Sequence, residues 1–143
     1  MATNPTANMT KKQTAAYTAA LQEIEACRTT GETMAVFNGI GLSILPPEIG
    51  QLSALTALHL HNNQLRTLPP EIGQLSALTE LYLDNNQLTT FPPEIGQLAE
   101  LEVFTINGNP LQALPPEAVP LLSPDFLDPA HRQLWNQAKR ALG

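Results

Sequence analysis

Between Leu45 and Ala113 the chain writes one 23-residue unit three times: LPPEIGQLSALTALHLHNNQLRT, LPPEIGQLSALTELYLDNNQLTT and FPPEIGQLAELEVFTINGNPLQA. A constant period of this length requires each unit to lie against the one before it, and this restricts the chain to a solenoid. Apolar residues recur at fixed places, as Leu55, Leu58, Leu60 and Leu65 and again as Leu78, Leu81, Leu83 and Leu88. Leu58 and Leu60 are two apart, so in a strand they share one side, while Ala57, His59 and His61 share the other. One unit alone cannot bury its leucines. Stacked units can, and each leucine so buried stabilises by about 1.5–3 kcal/mol.

The pattern L-x-x-L-x-L-x-x-N-x-L, with Asn63 and Asn86 in the asparagine place and an L-P-x-x-I start, resembles the leucine-rich repeat of plant and bacterial type over residues 32–117. The resemblance implies an α/β repeat solenoid, a short horseshoe segment with parallel strands on the concave face and a helical cap at each end. Asn63, Asn86 and Asn109 lie one period apart and correspond to the family's asparagine ladder. Their amides are suited to backbone groups stranded where the chain leaves the strand, and losing such a partner costs roughly 1–3 kcal/mol. Their register with the leucines favours this role over ligand binding.

The chain reads as a single domain, 1–143, in four parts. Residues 1–9 form a flexible tail. Residues 10–31 form the N-terminal cap helix, with Thr10 and Gln13 as a capping box, Tyr17, Ala20, Leu21, Ile24 and Cys27 as its apolar stripe, and Gly31 as its stop. The repeats occupy 32–117, and their first unit is degenerate: Ala35 aligns with Leu58, Phe37 with Leu60, and Ile40 takes the asparagine place. A C-terminal cap follows over 118–143. Its helix covers about 129–142, with Asp128 as N-cap, Pro129 as first residue, and Leu134, Ala138, Ala141 and Leu142 on its apolar side. Each Pro-Pro pair removes two donors and fixes φ, so the convex side is extended or 3₁₀-like, with Glu48, Glu71, Glu94 and Glu117 as a solvated column.

Charge and composition bear on function. From Thr29 to His131 there are eleven acidic residues and one basic one, Arg66. Such a body repels phosphate backbones and suits a neutral or basic protein or peptide; no nucleic acid and no membrane is expected as partner, and the chain is expected to be a monomer. Cys27 is the single cysteine, so no intrachain disulfide forms, and its place on the buried stripe reads as packing. No apolar run reaches the length of a span or a signal-peptide core. The setting expected is the cytoplasm of a bacterium. The alternatives are an effector secreted by a type III system without a cleaved signal, a relative of the multidomain proteins in which such repeats precede a GTPase, and a structural, self-associating unit.

No phosphate loop, Cys-x-x-Cys pair or nucleophile with a neighbouring base stands in the sequence, so no enzyme activity and no cofactor is expected. The first two full units agree at 19 of 23 places and differ at Ala57/Glu80, His59/Tyr82, His61/Asp84 and Arg66/Thr89. Three of these four pairs fall on the outward side of the strand. The partner-binding face is therefore assigned to three columns: Met34, Ala57, Glu80 and Val103; Val36, His59, Tyr82 and Thr105; Asn38, His61, Asp84 and Asn107. His59, His61 and Asp84 are the right types to hold a divalent metal, but a solvated polar patch is the preferred reading.

Overall fold

The computed structural model describes residues 6–142. Helix α1 (Lys11–Thr30) opens with Thr10 and Gln13 in a reciprocal capping box and closes on Gly31 in the left-handed conformation. That box offsets the unfavourable placing of Lys11 and Lys12 at the positive end of the helix dipole. Strands β1 (Met34–Val36), β2 (Ala57–His59), β3 (Glu80–Tyr82) and β4 (Val103–Thr105) follow one per layer. They form a parallel sheet in the order β1-β2-β3-β4. The register is a strict 23-residue step: Ala35 pairs with Leu58, Leu58 with Leu81, and Leu81 with Phe104. Helix α2 (Pro129–Ala141) lies at the far end, with the Asp128 carboxylate accepting from the His131 backbone amide.

Opposite the sheet, each layer carries a short 3₁₀ helix starting at the second proline of its pair: Pro47–Gln51, Pro70–Gln74, Pro93–Gln97 and Pro116–Leu121. Proline serves here because the first residue of such a turn has no partner for its N–H. The following Ile49, Ile72 and Ile95 are fully buried. The fourth of these turns carries the repeat's convex side to Leu121, past the boundary expected at 117. Beyond it a further 3₁₀ turn, Pro124–Phe126, precedes α2.

Four residues one period apart, Gly39, Asn62, Asn85 and Gly108, all have positive φ, between 57° and 78°. The chain leaves each strand through this left-handed residue, a conformation that asparagine tolerates and glycine adopts freely. The two asparagines also bond to each other, Asn85 Nδ2 donating to Asn62 Oδ1 at 3.0 Å. At the fourth place, Gly108, an added Cβ would meet the Asn85 side-chain oxygen, which would have to shift.

The core is a set of columns: Leu55 and Leu78, Leu58 and Leu81, Leu60 and Leu83, and Leu65 and Leu88 are all fully buried. The asparagine ladder is present and has a direction. Asn63 Oδ1 accepts from the backbone N–H of Ile40 and Leu42 in the preceding layer, and its Nδ2 donates to Phe37 O and Leu60 O. Asn86 and Asn109 repeat the arrangement one and two layers on. Each asparagine thus completes the layer before its own. Ile40 can stand in the asparagine place because α1, and no repeat, precedes its layer. At the other end His131, 3% exposed, donates from Nε2 to the Asn109 carbonyl at 2.9 Å.

The caps depart from expectation in three respects. On α1 the buried stripe includes Ala16, and Leu21 is only half-buried. On α2 the inward side is His131, Leu134, Trp135 and Ala138, whereas Ala141 and Leu142 are exposed. The helix leans on the last 3₁₀ turn through Trp135 Nε1, which donates to Val119 O, and its final turn projects past that support. The flexible tail expected over 1–9 lies in its first five residues outside the described residues; Thr6–Met9 forms a turn, with Met9 N donating to Thr6 O.

Candidate functional site

The three outward columns assigned from the sequence lie side by side on the sheet, because the strand register is the repeat register. Four strands about 4.8 Å apart make a face about 19 Å wide. Met34 and Val36 are about half exposed and give the β1 edge an apolar surface. Next to them the His59 ring stacks on Tyr82 at 4.5 Å between centroids, and His61 meets Tyr82 edge-on at 6.2 Å. The Tyr82 hydroxyl donates to Glu80 Oε1 at 2.6 Å. That bond, with partial burial and the charges of Glu80 and Asp84, raises the phenol above its ordinary pKa and keeps it a donor. On the next strand the Thr105 hydroxyl donates to the Asp84 carboxylate.

Three members of the columns are less open to a partner than expected. Ala57 is 2% exposed; in the sheet register its methyl stands between the longer Met34 and Glu80. Asn107 has its amide engaged by the C-terminal cap, Nδ2 donating to Phe126 O and Oδ1 accepting from Asp128 N. Asn38 turns its Oδ1 inward, where it is buried without a hydrogen-bond partner.

His59, His61 and Asp84, the residue types suited to a metal, lie together on the outward face of β2 and β3. The two imidazoles are tilted by 58° with centroids 6.1 Å apart, and Asp84 is occupied by Thr105. Among the described residues, the group that brings ligand atoms within 4.8 Å of one another is Glu23, Cys27 and Glu32. There, burial together with Glu23 pushes the Cys27 thiol up to about 11, and the thiol, 1% exposed, lies 3.7 Å from the Glu23 carboxylate as a donor. The thiolate is the reactive form, so at pH 8 Cys27 should react with a disulfide reagent at least about 100-fold more slowly in the native chain than in urea. Equal rates in a stopped-flow assay would contradict that placement.

Sequence reasoning missed a depression at the far end of the sheet. A groove of about 550 Å³ runs along residues 101–107 and is walled by Pro120–Ser123, Phe126 and Leu127. Its wall comes from the non-periodic segment after the last repeat, where no spacing signal exists. The one available sign was Phe126 itself, an aromatic between Asp125 and Asp128. Among the described residues, no helix is long and apolar enough to cross a membrane.

A parallel, one-strand-per-layer sheet backed by proline-led 3₁₀ turns and pinned by an asparagine ladder defines a class of repeat scaffold with a single open concave face. The chain has the leucine-rich-repeat fold. Residues 53–111 match the family described as leucine rich repeat. Among solved structures it is similar to a leucine-rich-repeat protein of Leptospira interrogans, with 48% identity and a TM-score of 0.55 over 62% of this chain. It spans only 22% of that protein's chain. It is also similar to the leucine-rich-repeat ectodomain of the receptor kinase SOBIR1 from Arabidopsis thaliana, with 25% identity and a TM-score of 0.52, covering 73% of this chain and 69% of that one. No curated protein matches the sequence.

Proposed function

We propose that the protein is a non-catalytic binding module whose concave sheet takes a neutral or basic protein segment, with Tyr82 as the anchor. The observation that carries this reading is the cluster at the middle of the sheet. An aromatic surface of His59, Tyr82 and His61 is bordered by the carboxylates of Glu80 and Asp84 and by the exposed Met34 and Val36. Aromatic residues at the centre of a contact supply much of the binding energy, and a nearby carboxylate selects for positive charge and speeds encounter. The net charge of −6 acts in the same sense. The face is small beside the roughly 800 Å² per partner of a standard interface, which favours a short segment or a weak partner. The single cysteine fits a reducing cytoplasm.

The test is titration calorimetry with the partner recovered on the wild-type chain. Tyr82→Ala should weaken binding by about 30-fold, an anchor residue's share of some 2 kcal/mol, and Asp84→Ala by a smaller factor that shrinks in high salt. Both variants should unfold at the wild-type urea midpoint. Unchanged affinity in both would remove the concave sheet as the contact surface.

A further inference from the structure

The sheet ends at β4, and its last edge is not closed. Within the stack each strand offers hydrogen bonds to the next in a fixed pattern. Leu60 N donates to Tyr82 O and Leu83 N to Thr105 O, while Thr33, Thr56 and Thr79 carbonyls each accept from two amides one layer on. Continued one layer further, the pattern assigns the N–H of Ile106 and the carbonyl of Glu102 to a strand that the described residues do not supply. The C-terminal cap takes over only at the end of this edge, through the Asn107 side chain.

That edge is the floor of the 550 Å³ groove. Openness there explains a difference within the core: Leu78 and Leu81 are fully buried, whereas their counterparts Leu101 and Phe104 keep part of their surface. Phe126, on the opposite wall, is 81% exposed. The lining includes Asp84 and Glu102 and no Lys, Arg or His.

We propose that the free edge of β4 receives an extended segment of another protein as a fifth strand, with an apolar side chain against Leu121 and Phe126 and a basic one toward Glu102 and Asp84. Main-chain pairing at an open edge supplies affinity, and the alternating side chains supply selectivity. The edge from Leu101 to Asn107 runs about 20 Å, the length of a six-residue strand. Charge disfavours a second copy as the occupant, because pairing two such edges would bring together the acidic side chains of chains that each carry −6.

The probe is a pool of acetylated, amidated hexapeptides alternating Lys or Thr with Val, Ile or Phe, titrated to about 1 mM into the ¹⁵N-labelled chain. The amides of Phe104 and Ile106 should shift and exchange with solvent at least tenfold more slowly. Of two analogue pools, N-methylated at odd or at even positions, at least one should bind tenfold more weakly. Phe126→Ala should weaken binding at least fivefold, and Tyr82→Ala, outside the groove, by less than twofold. The proposal is overturned if the two amides do not respond, if both methylated pools bind like the parent, or if protection appears on raising the protein concentration alone, which would mark a second copy as the occupant.

Discussion

Replacing Asn86 with alanine should remove about 3–5 kcal/mol of folding free energy, a large share of the 5–15 kcal/mol that a domain possesses. The side chain is 1% exposed. Its Oδ1 accepts from Leu65 N, and its Nδ2 donates to the carbonyls of Leu60 and Leu83. Alanine would leave these backbone groups without their side-chain partner, each costing roughly 1–3 kcal/mol. Urea unfolding followed by circular dichroism measures the loss. The control is the exposed neighbour Gln87→Ala, expected within about 0.5 kcal/mol of wild type. A loss under about 1 kcal/mol at Asn86 would mean that the amide is not what holds the layers in register.

The second large effect separates two residues of one column. Leu81→Ala should cost about 3–5 kcal/mol, because the side chain is fully enclosed and both neighbouring layers are held by their own ladders, so the cavity cannot collapse. Phe104→Ala removes a larger side chain one layer on, yet should cost less, about 2 kcal/mol, since that residue is only partly buried and lines the groove. Side-chain volume alone would rank the two the other way. A larger loss at Phe104 than at Leu81 in matched urea titrations would show that the last layer is as enclosed as the middle ones.

The period made most of the architecture legible. The strand register, the leucine columns, the ladder and the 3₁₀ turns after each Pro-Pro pair all repeat, and a repeated position reports its environment several times over. The capping box at Thr10 was equally readable, since its bonds are local. What escaped was either non-periodic or dependent on size. Ala57 shares a column with Glu80, but a methyl group cannot reach past its neighbours, so the same position is buried in one layer and open in the next. His131 enters α2 as the third residue of an unremarkable polar run, and only the fold places it over the Asn109 carbonyl. The edge groove arises where the repeats stop, and no residue pattern announces the shape of an ending. Asn107 belongs to the outward column by register and to the cap by hydrogen bonding, so alignment with His61 and Asp84 misstated what its amide does.

The backward reach of the asparagines gives the solenoid an order of assembly. Because a layer is finished only by the amide of its successor, a chain leaving the ribosome carries one incomplete turn at its growing end until the next 23 residues have emerged. His131 meets the last of these layers with a different bond, its ring nitrogen donating to the Asn109 carbonyl. The nascent polypeptide therefore stays sticky at its newest turn, and each turn leaves that state only once its successor has been translated.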